Sequence, residues 1–182
     1  SERVFISQSR SIVFIHTWLI AVDNRFTLTR HKKTVKEESR VTKRALIIGG
    51  GIANTFLAAT GHPVGKSLYE PDLIDASKEI LAKAEKLGKP IPLPVDVVTA
   101  PELAPGQKAV TCGVDEVASD QMILDIGPKT VALYEEILNK AATIVWNGPV
   151  GAFETDPFGA GTRALAEALA KCGGFVVVGG GD

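Results

Sequence analysis

From Ala45 onward the apolar positions fall into two rhythms. Short apolar runs with little polar alternation predict strands at Ala45–Ile48, Pro94–Thr99, Ala109–Cys112, Met122–Asp125, Thr143–Trp146 and Phe175–Val178. Between them the spacing turns helical. Ile52–Thr60 ends at Gly61, a glycine suited to a helix C-terminus. Pro71 opens a helix over Asp72–Leu87, with Leu73, Ile74, Ile80, Leu81 and Leu87 on its apolar positions and Gly88 as its stop. Pro128 begins another through Ala141, carrying Val131, Leu133, Tyr134, Ile137 and Leu138. Gly161–Lys171 is a fourth, stopped by Gly173 and Gly174. Buried strands separated by helices predict an α/β fold with a parallel sheet covered by helices on both faces.

The first 44 residues lack this order. All 18 glycines lie at or beyond Gly49, and all 10 prolines at or beyond Pro63. Residues 1–44 carry ten Lys/Arg against four Asp/Glu, a net of +6; residues 45–182 carry ten against seventeen, a net of −7. A globular stretch without glycine or proline has no designed turns. The break divides the chain into a basic segment, residues 1–44, and a regular unit, residues 45–182. It predicts that the first does not belong to the fold of the second. Ser11–Val22 is an apolar run behind Arg3 and Arg10, like a signal-peptide core, but Asp23, Asn24 and Arg25 follow in place of a small-residue cleavage site. The run is also too short to span a bilayer. Arg30, Lys32, Lys33 and Lys36 form a basic stretch without interleaved aromatic residues, which reads as solvated rather than as a nucleic-acid arm.

The whole chain of 182 residues carries a net charge of −1, so its total favours neither nucleic acid nor an anionic membrane. Cys112 and Cys172 exclude a disulfide-stapled scaffold and fit a reducing, cytoplasmic setting. The chemistry concentrates elsewhere. Three predicted strands end in glycine-bearing turns: Gly49–Gly51, Asn147-Gly148-Pro149 and Gly179–Asp182. In sheets of this kind ligands sit at the carboxyl ends of strands. Glycine lets backbone approach a ligand, and amides at a helix start bind phosphate. Each turn alone is also an ordinary way to leave a strand; three together favour a ligand.

Two near-motifs carry less. Gly61–Ser67, GHPVGKS, has Thr60 where a phosphate-binding loop needs glycine, and it follows a helix rather than a strand. Gly49–Asn54 approximates a dinucleotide fingerprint but has Asn54 as its third glycine. His16, His31 and His62 are scattered, and no Cys/His spacing suggests zinc. Cys172, before two glycines, reads as a buried inert thiol.

The strings LIIGGGIANTFLAATGH, VGKSLYEPDL, PIPLPVDVV, ILDIGP, TIVWNGPVGAFE, Gly161-Thr162 and VVGGGD, in this order, resemble the C-terminal, nucleotide-binding half of bacterial phosphoglycerate kinase. The resemblance covers residues 45–182 and implies a Rossmann-like α/β fold. It implies reversible phosphoryl transfer between 1,3-bisphosphoglycerate and ADP, giving 3-phosphoglycerate and ATP, a step of glycolysis, with Mg²⁺. By resemblance Gly50 and Gly51 line the adenine pocket and Leu124 packs near the base. Asn147 and Pro149 sit beside ribose and phosphates, and Glu154 accepts from ribose hydroxyls. Gly179, Gly180 and Gly181 present backbone to the phosphates, and Asp182 coordinates Mg²⁺; alone, Asp182 could equally be a helix N-cap.

The departures are as specific. The family's arginine-rich site for 3-phosphoglycerate, its lysine-bearing turn ahead of the first strand, and the threonine and helix after GGGD find no counterpart in these residues. No catalytic residue is therefore assigned. The expectation is a truncated nucleotide-binding domain that partners ADP or ATP, meets 3-phosphoglycerate or 1,3-bisphosphoglycerate only with the family's other domain supplied, and contacts neither nucleic acid nor membrane. The alternative is a catalytically inactive nucleotide-binding module or the product of a disrupted gene.

Overall fold

The computed structural model describes residues 18–23 and 45–179. The chain is α/β. Its strands are β1 (Trp18–Asp23), β2 (Ala45–Gly49), β3 (Asp96–Ala100), β4 (Val110–Gly113), β5 (Met122–Ile126), β6 (Thr143–Trp146) and β7 (Phe175–Val178). Its helices are α1 (Gly50–Ala59), α2 (Ile74–Lys86), α3 (Pro128–Asn139) and α4 (Ala160–Lys171). A single 3₁₀ turn, Pro71–Leu73, leads into α2, and Pro128 stands at the start of α3, where a missing amide hydrogen costs nothing.

The strands form two sheets, ordered β2-β1-β6-β7 and β4-β3-β5. β6 and β7 are parallel, with Thr143 opposite Phe175 and Trp146 opposite Val178. β1 pairs antiparallel with both β2 and β6, so β2, β6 and β7 all run one way. The second sheet is antiparallel throughout. β3 and β4 are joined by nine residues without an α-helix, fewer than the dozen or more that a parallel crossover needs. β1 falls inside the segment that composition sets apart; its backbone nonetheless occupies a place between two strands of the regular unit.

The β3–β5 register is broken. Val98 lies opposite Asp125 and Thr99 opposite Ile123, so the pairing skips Leu124. Such a bulge frees the skipped residue's backbone from the ladder and re-aims its side chain.

The main core joins β2, β5, β6, α3 and α4. Ile47, Tyr134, Leu138, Ile144 and Leu165 are wholly buried there. A second cluster packs Leu57 of α1 on Val97, with Val64, Val114 and Val117. Two buried carboxylates link strands to helices. Asp96 accepts from the amides of Lys129 (3.0 Å) and Thr130 (2.7 Å) at the start of α3. Asp125 accepts from the Gly161 amide at 2.7 Å, at the start of α4.

The GHPVGKS stretch is structural. Gly65 has φ +54, and a Cβ there would stand 2.2 Å from the Gln121 carbonyl oxygen. The Lys66 amide donates to Gln121 O (2.8 Å), the Ser67 amide to Val64 O (2.9 Å), and Ser67 Oγ accepts from the Ile123 amide (2.8 Å). Amides so committed are not offered to a phosphate.

Candidate functional site

The glycine turns after β2 and β6 meet. A Cβ on Gly49 would stand 2.8 Å from Val150 Cα, so only glycine permits this approach. The Gly50 amide donates to Val150 O at 3.2 Å. Between the turns lies a cleft of about 320 Å³, lined by Gly50, Gly51, Leu124, Val150, Gly151 and Ala152, among others. Sites for small organic ligands begin near this size. Three sequence-assigned residues, Gly50, Gly51 and Leu124, thus share one wall system.

The loop from Asn147 to Phe153 is stitched to its surroundings by backbone. Gly148 has φ +114, a conformation that side-chain-bearing residues rarely adopt, and the Trp146 indole Nε1 donates to its carbonyl. The Ala152 amide donates to Leu124 O at 2.8 Å, using the carbonyl that the bulge released. The amides of Val150 and Gly151 donate to Thr162 Oγ1 at 3.2 and 3.3 Å.

Asp125, 2% exposed, underlies this arrangement. A Cβ on Gly151 would stand 2.2 Å from Asp125 Oδ1, and one on Gly161 2.6 Å from the same atom. Both glycines make room for the carboxylate. Burial pushes the Asp125 pKa up to about 6, opposed by hydrogen bonds from the Gly161 and Ile126 amides and by the positive charge of Arg163.

The other assigned residues lie further out. Asn147 is exposed at the end of β6. Its Oδ1 stands 3.8 Å from where a Gly179 Cβ would be, and the Gly179 amide donates to Trp146 O at 2.8 Å, so the ends of β6 and β7 adjoin. Pro149 is half-buried and Glu154 exposed; neither lines the cleft. Gly180, Gly181 and Asp182 lie outside the described residues. Sequence reasoning missed Val150, Gly151, Ala152, Asp125 and Thr162 as parts of the site, although all fall within or beside quoted strings. It also weighed Asn54 only as a failed glycine. Asn54 is buried and donates from Nδ2 to Leu68 O (3.1 Å), fixing another wall of the cleft.

The cleft walls are mostly apolar and backbone, without a lysine or arginine among them. Such walls suit a flat, largely apolar group better than a polyanion. Among the described residues no group of three or more His, Cys, Asp or Glu is placed to hold a metal ion. None of the helices among them is long and apolar enough to cross a membrane.

Comparison with known proteins gives the chain's family. The sequence model of a family described as phosphoglycerate kinase matches residues 33–182, starting twelve residues ahead of the compositional break. The phosphoglycerate kinase of Desulfovibrio desulfuricans is 61% identical over 151 residues, which cover 83% of this chain and 39% of that protein. The solved structure of phosphoglycerate kinase from Coxiella burnetii aligns with a TM-score of 0.74 at 50% identity, covering 76% of this chain and 36% of that one. The crystal structure of the enzyme from Pyrococcus horikoshii OT3 aligns with a TM-score of 0.63 at 32% identity, covering 74% and 34%. The chain thus spans about two fifths of the curated relative it matches. With a family match over residues 33–182 and a relative 61% identical over 83% of its length, this chain belongs to the phosphoglycerate kinase family.

Proposed function

We propose that the cleft is the base-and-sugar end of an ADP/ATP site, and that the chain is the nucleotide-binding part of a phosphoglycerate kinase. Such an enzyme moves a phosphoryl group reversibly between 1,3-bisphosphoglycerate and ADP. The observation that carries this reading is the meeting of Gly50, Gly51 and Leu124 with Val150–Ala152 in one cleft of suitable size.

In this reading the chain's own residues bind and orient. Glycine backbone at Gly50 and Gly51 and the Leu124 side chain sandwich the base. Asn147 and Pro149 stand toward ribose and phosphates, and Glu154 accepts from ribose hydroxyls. Gly179–Gly181 offer backbone to the phosphates. Asp182 would supply a carboxylate oxygen to Mg²⁺, which would neutralise charge on the phosphate oxygens when bound. Phosphoryl transfer demands in-line placement of donor and acceptor. These 182 residues account for the nucleotide side of that geometry, so alone they bind without turnover. The setting is cytoplasmic.

Calorimetric titration with Mg-ADP tests this reading. Saturable binding that Leu124→Asp weakens at least tenfold is the expected outcome, because a carboxylate in the slot repels the base's π-face and the phosphates. Titration heats no greater than those of dilution, in a chain shown to be folded, would sink it. A coupled assay should detect no ATP formation from 1,3-bisphosphoglycerate; Mg²⁺-dependent turnover would overturn the claim of binding alone.

A further inference from the structure

Resting on the nucleotide reading above, we infer that Thr162 is a positioning residue, whose hydroxyl oxygen holds the loop that forms one wall of the nucleotide cleft. Thr162 lies in the first turn of α4 and is 8% exposed. Its Oγ1 accepts from two successive amides of the loop, Val150 and Gly151. A hydroxyl has two lone pairs and can accept both. The next amide, Ala152, goes to Leu124 O. Three consecutive loop amides are therefore satisfied from outside the loop, two of them by this one side chain.

The orientation of the hydroxyl matters. Thr55 in α1 donates its hydroxyl to the Gly51 carbonyl of its own helix, at 3.0 Å, the usual habit of a helical threonine, and its Oγ1 also accepts the Glu70 amide from outside the helix at 3.0 Å. Thr162 likewise faces out of its helix, and it takes two amides of the loop rather than one. Asp125 fixes the backbone one residue earlier, accepting from the Gly161 amide at 2.7 Å. A long chain of local choices thus ends on the cleft wall: carboxylate to helix start, helix hydroxyl to loop, loop carbonyl Val150 O to the Gly50 amide on the opposite wall. Removing the acceptor leaves two donors unpaired in a region where Val150 is 3% exposed. Unpaired buried donors are costly, so the loop would move to reach water.

Trp146, whose indole donates to Gly148 O in the same loop, reports that movement. The experiment uses the full chain with Trp18→Phe, leaving Trp146 as the sole tryptophan. Thr162→Val keeps the shape and removes the acceptor; Thr162→Ser keeps the acceptor and removes a methyl. The expected result is that Thr162→Val shifts Trp146 emission to the red and weakens Mg-ADP binding about tenfold. Thr162→Ser should keep emission and stay within about twofold in affinity. The inference is overturned if Thr162→Val leaves either readout unchanged, or if Thr162→Ser behaves like Thr162→Val. If the parent chain binds no Mg-ADP, the nucleotide reading falls, and the emission comparison alone decides whether Thr162 holds the loop. If Thr162→Val does not fold, amide exchange in the unsubstituted chain decides it. Protection of the Val150 and Gly151 amides is expected, and exchange at the rate of an open loop overturns the assignment.

Discussion

Asp125 shows how one side chain can be both a structural support and a liability. Its pKa rises from 3.8 to about 6 because burial disfavours the charged form. Between those two values the folded chain keeps a proton that the unfolded chain has lost. Stability therefore falls as pH rises from about 4 to about 6 and is flat above, with a total effect on the order of 3 kcal/mol from this group. Asp125→Asn should remove that slope in denaturant titrations run at several pH values. Its uncharged amide also loses one of the two acceptors now used by the Gly161 and Ile126 amides. The glycines around Asp125 are equally demanding. Gly151→Ala places a methyl group against the carboxylate and should cost about 1–3 kcal/mol. Gly173→Ala meets nothing within 4 Å and should change stability by less than about 0.5 kcal/mol. Equal costs for the two substitutions would contradict the packing described.

At the scale of elements, the helices take their caps from far away. Gly127 and Gly159 precede α3 and α4 without a side-chain cap. Asp96 and Asp125 supply the missing acceptors from neighbouring strands, 34 and 36 residues earlier. A carboxylate at a helix start also meets the favourable end of the helix dipole. Asp96→Ala should therefore destabilise the chain by about 1–3 kcal/mol, read as a lower denaturant midpoint with an unchanged slope. This explains what could be read in advance. The apolar rhythm revealed β2 to β7 and α1 to α4 because each is encoded by its own neighbours. The distant caps, the skipped pairing at Leu124 and the place of β1 depend on partners tens of residues away, and no local pattern records them. The same divide runs through the site. Gly50 and Gly51 stood out because glycine is locally distinctive, whereas Thr162 is one threonine among many until its hydroxyl is seen facing Val150.

Across the whole molecule, the first sheet ends on β7, which pairs only with β6 among the described residues. Phe175 is 60% and Val178 70% exposed. An apolar strand with a free edge is a template for pairing with another chain. Self-association that grows with concentration is the expected behaviour of these 182 residues, and Phe175→Lys should reduce it in sedimentation velocity runs. Equal association in the two proteins would show that the edge is not the contact. On the proposed function, Mg-ADP should act at the same scale, raising the unfolding midpoint by mass action without adding any contact within the protein.

The bulge in β5 limits what side-chain mutagenesis can reveal here. Leu124 serves the cleft twice, through its side chain on the wall and through the carbonyl that takes the Ala152 amide. Every substitution at position 124 keeps that carbonyl, so an alanine scan samples one of its two jobs. The other lies in the chain's own peptide unit. It becomes visible only to chemistry on the backbone, such as an ester in place of the amide at Ala152, or to the loss of one residue from the strand, which restores regular pairing and draws the carbonyl back into the sheet. Lineages that diverge freely in side chains here would still have to keep the number of residues in β5.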